Sequence, residues 1–275
     1  MYQSSTVVGS LQFSSPQIVR VTDQLRRIVR GWRGAGTTIA LVPIEQTVHE
    51  GHQRLMETAK RHAARTIVSV PSSIDLAQST VIGRTACDLI FAPEVQATSV
   101  RLQTISDELE DSVALDQRLT ALMRLFNQVQ PDVAVFGEKD WQQLVAVRRM
   151  VRDLALPVGI VSSATVRGND GLALSSRLRD LSPEQRVVAQ TLFKVLSATA
   201  ALIADGQPVD PVVAASRRFL SESGFDDVHY LSARRAHDLA PISEYNPMKP
   251  ARLLGAVQLG RVRLVDNVPI ARKTE

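Results

Sequence analysis

Two histidines three positions apart are the first residues in this sequence whose types and spacing could do chemistry. His49 and His52 flank Gly51 and follow a short apolar run that ends at Pro43. At a helix start this spacing puts both imidazoles on one face, beside the free N–H groups of the first turn. Those N–H groups, the positive end of the helix dipole and the imidazoles could all donate to a phosphate. Gly51 would leave room for a flat ring against the backbone.

A lysine next to a glycine forms the second candidate. The segment 136–144 reads FGEKDWQQL, and Lys139 lies just after an apolar run that predicts a strand. A lysine at the mouth of a strand can reach phosphate oxygens as a mobile point charge. The alternative is a surface lysine paired with Glu138 or Asp140. These residues alone leave both interpretations open.

A run of hydroxyls and arginines forms the third candidate. The segment 170–179 reads DGLALSSRLR. The hydroxyls of Ser175 and Ser176 can donate to a triphosphate, and the guanidinium of Arg177 can bind it through two parallel hydrogen bonds. The alternative is an ordinary polar cap ahead of the helix predicted to begin at Pro183.

Composition excludes several classes of protein. Aromatic residues make up 4% of the 275, and the basic residues are spread through the chain, which disfavours nucleic-acid binding despite a net charge of +4. No apolar run approaches the ~20 residues that span a membrane, so we expect no membrane partner. Residues 1–12 lack the pattern of a secretory signal. Cys87 is the sole cysteine, which precludes an internal disulfide and favours a cytoplasmic location.

Strands and helices alternate in the first part of the chain. Short apolar runs predict buried strands at 38–43, 66–70, 88–91, 132–136 and 158–161. Helical periodicity, with Ser15 as a cap and Pro16 at the first helical position, predicts helices over 16–34, 49–64, 75–86, 115–129 and 140–154. We expect residues 1–14 to be irregular and make no assignment for 94–114.

This alternation predicts an α/β fold with a Rossmann-like, doubly wound parallel sheet. Ligands of such sheets lie at the carboxyl ends of the strands. The histidine pair and the segment Gly137–Asp140 both follow strand ends, so we expect them to face one crevice.

The pattern changes near Leu181. Helices are predicted at 183–204 and 209–222, followed by strands at 228–232, 252–258 and 261–267, the last two joined as a hairpin at Gly260-Arg261. We therefore expect two domains. Residues 1–177 would form the first, with all three candidate segments, and residues 178–275 a smaller α+β domain.

Together and in this order, the three segments resemble the signatures of the pantothenate synthetase (pantoate–β-alanine ligase) family. These are its His-x-Gly-His motif, its Gly-Glu-Lys-Asp loop and its Ser-Ser-Arg segment. The resemblance runs from about Gln17 to Ile270, is densest over Pro131–Pro183, and includes the hairpin segment Leu264–Asn267. It implies the fold of the class I nucleotidyl-transferase superfamily, with the first domain binding ATP and the second acting as a lid.

The resemblance also implies a reaction. ATP and a carboxylic acid would give an acyl-adenylate and pyrophosphate, and an amine would then attack the acyl carbon to form an amide and release AMP. The implied partners are a small-molecule acid, a small-molecule amine and ATP with Mg²⁺. The metal would be held mostly by phosphates and water, without protein ligands. A homodimer built through the α/β domain is implied as well.

By the same resemblance, twelve positions acquire roles. Those expected to contact or close over the ATP phosphates are His49, His52, Lys139, Ser175, Ser176 and Arg177. Those expected in the rest of the ATP site, mostly beside the nucleoside, are Pro43, Gly51, Gly137 and Asp140. Those expected in the acid pocket are Gln143 and Glu45.

The chain departs from the family around the acid. The family has Pro-Thr-Met-Gly-Ala-Leu before its histidines, whereas residues 43–48 read PIEQTV and place Glu45 where the family has methionine. After its second strand the family has an Asn and a Gln that hold pantoate, whereas residues 69–73 read SVPSS. The segment between Pro71 and Asp88 is also shorter. The ATP half therefore looks retained and the acid and amine half rebuilt.

These departures predict a ligase whose acid or amine differs from pantoate and β-alanine, with pantoate a poor substrate. Glu45 would repel an anionic acid unless an arginine offset it, or it would attract a cationic group on a substrate; alternatively it is a solvated loop residue. One alternative function is an ordinary pantothenate synthetase of coenzyme A biosynthesis. Another is a nucleotide-binding homologue without catalysis, against which the retained His49, His52 and Lys139 argue.

Overall fold

A six-stranded parallel sheet forms the N-terminal part of the protein. The computed structural model describes residues 16–45, 48–73, 87–94, 97–104 and 109–272. The strands, in chain order, are β1 Gln17–Val19, β2 Ile39–Pro43, β3 Arg65–Ser69, β4 Leu89–Phe91, β5 Val133–Gly137 and β6 Gly159–Ser163. Their order across the sheet is β1-β4-β3-β2-β5-β6, with parallel pairing throughout. The predicted Rossmann-like sheet is confirmed.

Helices supply crossover connections, which parallel neighbours require. They are α1 Thr22–Gly34, α2 Glu50–His62, α3 Ser112–Val129 and α4 Trp141–Asp153. Leu41, Ile67 and Phe91, on three different strands, are fully buried in a core with α1, α3 and α4. Val42 and Val68 are fully buried in a second core with Met56 of α2. Burial on both faces explains why the strands read as continuous apolar runs in the sequence.

The direction of strand succession reverses between β2 and β5. From β2 the chain adds β3 and β4 on one side, whereas β5 and β6 lie on the other. Ala40 and Leu41 of β2 pair with Val133 and Ala134 of β5. The segments that leave β2 and β5 therefore emerge side by side, at the point where open α/β sheets form a ligand crevice.

The C-terminal part is a smaller α+β unit. It contains helices α5 Pro183–Ala204 and α6 Val209–Glu222 and an antiparallel sheet of β7 Asp227–Arg235, β8 Ala251–Leu259 and β9 Val262–Ile270. The predicted hairpin at Gly260-Arg261 is present, since Leu259 pairs with Val262. Nothing in the structure tests the boundary predicted between residues 177 and 178.

The small sheet has two buried faces. Leu253 lies in a core with α5 and α6, whereas the next residue, Leu254, lies in the core of the parallel sheet together with Tyr230 and Ala256. This alternation follows from the two-residue period of a strand. The C-terminal sheet is therefore packed directly against the N-terminal part.

Helix α5 is long and apolar enough to cross a membrane, with a mean hydropathy of 1.7 over its most apolar window. This property was not expected from the sequence. Leu192, Leu196 and Ile203 of this helix are buried at 3% exposure or less and pack in the core against β8 and β9. Core helices of globular proteins share this length and composition, and we interpret α5 as one of them.

The helix predicted to begin at Pro16 is wrong at its start. Residues Gln17–Val19 form β1, which pairs with Leu89–Phe91 at the sheet edge, and α1 begins only at Thr22. Pairing with β4 supplies backbone hydrogen bonds and buries Val19 to 1% exposure, which outweighs the helical spacing of the apolar residues. The helical pattern holds from Leu25 onward.

Most other predicted elements agree with the structure to within a few residues. Helix α3 begins at Ser112, three residues before the prediction, where the Asp111 carboxylate accepts from the N–H of Val113 at 2.9 Å. The proposed cap Ser15, the irregular residues 1–14 and the predicted helix at 75–86 lie outside the described residues.

Candidate active site

One cavity at the carboxyl ends of β2 and β5 is lined by all the candidate residues selected from the sequence. Its volume is about 170 Å³. The selected residues in its wall are Pro43, Glu45, His49, Gly51, His52, Gly137, Lys139, Asp140, Gln143, Ser175, Ser176 and Arg177. The expectation that the segments after β2 and β5 face one crevice is therefore met, and the segment after β6 joins them.

Backbone N–H groups fix both imidazoles at the start of α2. His49 is the N-cap residue, and its Nδ1 accepts from the N–H of Gly51 at 3.1 Å. His52 Nδ1 accepts from the N–H of His49, also at 3.1 Å. Because each Nδ1 accepts, the hydrogen of each neutral ring lies on Nε2. The pair thus takes the place of the Ser and Glu of a capping box and leaves two Nε2–H donors.

Gly51 makes this arrangement possible. A Cβ at this position would lie 2.8 Å from Cε1 and 2.9 Å from Nδ1 of His49. Such contacts are too short, so any side chain would displace the capping imidazole. The sequence suggested a role for this glycine in ring binding, and the structure adds this local requirement.

Both histidines are neutral at pH 7. Burial lowers the pKa of His49 to about 4, and the positive charges of Lys139 and Arg179 act in the same direction. Burial also lowers the pKa of His52 to about 3, with a further contribution from His49. The ring centroids are 3.9 Å apart, so protonating both rings would place two positive charges side by side.

Lys139 enters the cavity from a short 3-10 helix, Glu138–Asp140, that follows β5. Its Nζ lies 3.6 Å from Oδ1 of Asp140, and its side chain is 18% exposed. The positive charge of Lys139 holds the pKa of Asp140 below its ordinary value. The pairing of Lys139 with Asp140, considered above as an alternative to phosphate binding, does occur, and both residues lie in the cavity wall. Since an ammonium group has three donors, the pair is compatible with binding an anion.

A tight turn presents the third segment. Gly171 has φ of 80°, and a Cβ there would lie 3.0 Å from the ring of Phe193, so the turn requires glycine. The N–H of Leu174 then donates to the carbonyl of Val166 at 2.9 Å. Directly after the turn, Ser175 Oγ accepts from the N–H of Arg177 at 3.3 Å and caps a second 3-10 helix. Local backbone groups therefore hold the start of the Ser-Ser-Arg segment, and Nη1 of Arg177 also donates to the carbonyl of Arg263 at 3.3 Å.

Glu45 belongs to a closed group of three side chains. Its Oε1 accepts from Nε2 of Gln143 at 2.9 Å, and its Oε2 lies 3.3 Å from Nε of Arg118. Arg118 also donates to Oε1 of Gln143 at 3.3 Å. Loss of solvent raises the pKa of Glu45, and the charge of Arg118 opposes that shift. The arginine needed for an anionic acid to be tolerated beside Glu45 is therefore present.

Arg118 is the functional candidate that sequence reasoning missed. It lies on α3 and reaches the cavity beside Glu45 and Gln143. No spacing links an arginine on α3 to a glutamate after β2, because the contact depends on how α3 packs. In the sequence, Arg118 is one of several polar residues within the helix predicted over 115–129, and nothing there sets it apart.

The cavity has two chemically different ends. We call the group His49, His52, Lys139 and Ser175–Arg177 the phosphate end, because its imidazole, ammonium, hydroxyl and guanidinium donors suit a polyanion. We call Glu45, Arg118 and Gln143 the Glu45 end. Donors fixed in advance can stabilise negative charge that builds on a reacting phosphoryl group.

Neither a metal cluster nor a reactive thiol was found among the described residues. There, no group of three or more His, Cys, Asp or Glu side chains is arranged to hold a metal ion. Cys87 is buried away from the cavity, and burial raises the pKa of its thiol to about 11. A thiol with such a pKa is a poor nucleophile at neutral pH.

Comparison with known proteins supports the resemblance seen in the motifs. The chain matches the pantoate-beta-alanine ligase family over residues 17–72 and 74–269. It is 38% identical to the pantothenate synthetase of Caulobacter vibrioides, over 94% of this chain and 99% of that one. It is 37% identical to the pantothenate synthetase of Rhizorhabdus wittichii, over 92% and 98% of the two chains.

Solved structures agree in fold. The pantothenate synthetase of Thermus thermophilus superposes with a TM-score of 0.79 at 31% identity, covering 93% of this chain and 99% of that one. The pantoate-beta-alanine ligase of Francisella tularensis superposes with a TM-score of 0.73 at 20% identity, covering 93% and 98%. Since both family and fold agree along nearly the whole chain, this protein belongs to the pantoate–β-alanine ligase family of ATP-dependent enzymes that form a C–N bond.

Proposed function

We propose that the protein is an ordinary pantothenate synthetase, which condenses pantoate with β-alanine and converts ATP to AMP and pyrophosphate. The observation that carries this proposal is the 38% identity, over 94% of the chain, to an enzyme named pantothenate synthetase. The Francisella tularensis ligase was solved in complex with beta-gamma ATP and beta-alanine, which supports ATP and β-alanine as substrates here.

The first step takes place at the phosphate end. A carboxylate oxygen of pantoate attacks the α-phosphorus of ATP, and the bond to pyrophosphate breaks. The Nε2–H groups of His49 and His52 and the ammonium of Lys139 stabilise the negative charge that builds on the phosphoryl oxygens. Ser175–Arg177 close over the triphosphate. Mg²⁺ would accompany ATP and would be held mostly by phosphates and water.

The second step forms the amide. The amine nitrogen of β-alanine attacks the acyl carbon of the adenylate, the bond to AMP breaks, and the nitrogen loses a proton. Neither step needs a nucleophile from the protein.

The nucleoside of ATP has its own part of the site. The backbone at Gly51 and Gly137, together with Pro43 and Asp140, lies beside the nucleoside.

The acid binds at the Glu45 end, with Gln143 as one of its contacts. The sequence departures favoured an altered acid because Glu45 would repel an anion. Arg118 removes that objection, because it lies 3.3 Å from Glu45 and offsets its charge. None of the comparisons supports altered substrates, and pantoate and β-alanine are therefore the proposed pair.

Acid-dependent release of pyrophosphate tests this function. Pantoate with β-alanine should give the highest turnover in a panel of hydroxy, amino and guanidino acids offered with several amines. A better pair within the panel would instead establish the altered specificity suggested by residues 43–48 and 69–73. If ATP bound but no acid released pyrophosphate, the protein would be a non-catalytic homologue.

Family membership also supports three further proposals. We propose a homodimer built through the α/β domain, a cytoplasmic location, and a division into an ATP-binding domain of residues 1–177 and a lid of residues 178–275. Light scattering at micromolar concentration tests the first, since a monomeric mass would contradict it.

A further inference from the structure

We propose that Asn267 is a positioning residue for Lys139, so that the C-terminal sheet takes part in building the phosphate end. The inference rests on the proposed function, because it assigns Lys139 a role at the phosphates of ATP. It concerns a residue on β9 that does not line the cavity itself.

One amide group holds the backbone that carries Lys139. Nδ2 of Asn267 donates to the carbonyl oxygen of Glu138 at 2.9 Å and to that of Lys139 at 2.8 Å. A primary amide has two N–H groups, and each has one acceptor here. Asn267 is only 2% exposed, so water does not substitute for these bonds. The peptide groups on both sides of the Lys139 Cα are therefore fixed from β9.

The amide of Asn267 is itself fixed. Its Oδ1 accepts from Nε of Arg252 at 2.6 Å, and its backbone N–H donates to Oδ1 of Asp266 at 2.8 Å. The guanidinium of Arg252 lies 3.9 Å from the ring centre of Trp141, the first residue of α4. Because Oδ1 faces a donor that cannot accept, the amide can be oriented in only one way, with Nδ2 towards the two carbonyls.

The residue before Lys139 is held by its side chain as well. Glu138 Oε2 lies 3.4 Å from Nη1 of Arg252, and its Oε1 accepts from Ser162 Oγ at 3.1 Å. Arg252 thus contacts both Asn267 and Glu138. The short helix that presents Lys139 cannot shift without breaking this network.

The neighbour of Asn267 reaches a second phosphate-end segment. Asp266 accepts two hydrogen bonds from Arg167, at 2.6 and 3.0 Å, and Arg167 donates to the carbonyl of Gly171 at 3.2 Å. Gly171 belongs to the turn that leads to Ser175. Two consecutive residues of β9 therefore connect to two of the three segments of the phosphate end.

The hydrogen bonds from Asn267 affect catalysis by fixing the position of Lys139. A lysine that stabilises a transition state must hold its Nζ in place, and a displacement of about 1 Å can cost roughly 10²-fold in rate. Losing the Asn267 amide would free the peptides around Lys139 without touching the ammonium group. The effect on catalysis should therefore depend on the presence of the lysine side chain.

The test is a double-mutant cycle between Asn267→Leu and Lys139→Ala in the full-length protein. Leucine has nearly the shape of asparagine but no donor. In the wild-type background we expect Asn267→Leu to lower the rate of pyrophosphate release by at least about tenfold. In the Lys139→Ala background we expect the same change to have less than about a twofold effect, since the group it positions is absent. Asn267→Asp, which keeps the shape and replaces the donors with an acceptor, repeats the cycle if the leucine variant does not fold.

The dissociation constant of ATP, measured by calorimetry, provides a second cycle that needs neither acid nor amine. It keeps the inference testable if the proposed substrates prove wrong. Coupling between the two substitutions in either quantity supports the proposal. Equal effects of Asn267→Leu in both backgrounds, or no effect in either, would overturn it.

Tyr230→Phe is the matched control. The Tyr230 hydroxyl donates to Glu110 at 2.6 Å and so also connects the C-terminal sheet to the N-terminal part, but without a hydrogen bond to the backbone of Glu138 or Lys139. This variant should retain wild-type rate and ATP affinity. If it also showed coupling to Lys139→Ala, general loosening between the two parts, and not the Asn267 amide, would explain the result.

Discussion

The two ends of the cavity are built in different ways. At the phosphate end, each functional segment is fixed through hydrogen bonds to backbone groups. N–H groups hold both imidazoles, the Asn267 amide holds the carbonyls of Glu138 and Lys139, and Ser175 Oγ accepts from the N–H of Arg177. At the Glu45 end, three side chains bond only to one another as far as the described residues show, and Glu45 and Arg118 are 37% and 35% exposed.

This difference indicates which end can change. A side chain held by backbone caps is fixed by local chain geometry, so replacing it disturbs the fold of its segment. A partly exposed ion pair contributes little to stability, so its members can be exchanged at low cost. The comparison explains how residues 43–48 can depart from the family while His49, His52 and Lys139 keep their places.

The largest expected effect comes from removing a donor at the phosphate end. Lys139→Ala or His52→Ala should each lower the rate of adenylation by roughly 10²–10³-fold, the scale for one electrostatic donor at a charged transition state. Acid-dependent pyrophosphate release measures this rate. Lys194→Ala, at an exposed position of α5, is the control. Wild-type rates in both site variants would contradict the role of Lys139 and His52 at the phosphates of ATP.

At the Glu45 end, Arg118→Met should raise KM for the acid by about tenfold, because it leaves a carboxylate unpaired where an anion binds. The kcat value should change much less. Adding Glu45→Met should restore KM to near the wild-type value, since the repelling charge is then gone. If the double variant were worse than Arg118→Met alone, Glu45 would not be the source of repulsion.

A smaller effect of opposite sign is expected for Glu45→Gln. The amide keeps the shape but leaves the charge of Arg118 uncompensated, so an anionic acid should bind about threefold more tightly, within the range of exposed ion pairs. KM for pantoate reports this change. Glu57→Gln removes a carboxylate from another arginine pair, with Arg54 on α2, and serves as control. A rise in KM for Glu45→Gln would mean that Glu45 contacts the substrates directly.

The smallest effect concerns stability and pH. The folded pKa values of His49 and His52, about 4 and about 3, lie below the ordinary value of 6.5. As the pH falls, the unfolded chain therefore binds protons before the folded protein does. The contribution of His49 and His52 to the free energy of unfolding is complete above pH 6.5 and is lost as the pH falls. His49→Asn should reduce the drop in melting temperature between about pH 7 and pH 5 by about 2–4 °C. His62→Asn, at the exposed end of α2, controls for removal of a histidine, and an unchanged drop in His49→Asn would contradict the neutral capping pair.

Much of the fold followed from local patterns. Strands β2 to β5 were predicted because both of their faces are largely buried, which leaves apolar runs such as residues 39–43. Pairing with a distant strand made β1 the exception, because its three residues fit a helical pattern equally well. The candidate site followed from three motifs, which lie in the segments after β2, β5 and β6, and its residues do line one cavity.

The sequence by itself determined the alternation of strands and helices, the helix start at His49 and the family. Each of these depends on spacing or identity within a short segment, where the side-chain period and the capping rules apply. Only the tertiary structure decided that β2 and β5 lie side by side, that Arg118 meets Glu45 and that Asn267 holds the carbonyl of Lys139. These contacts join segments far apart in the chain. They arise from the order of strands in the sheet and from the packing of the C-terminal sheet, which no local pattern specifies.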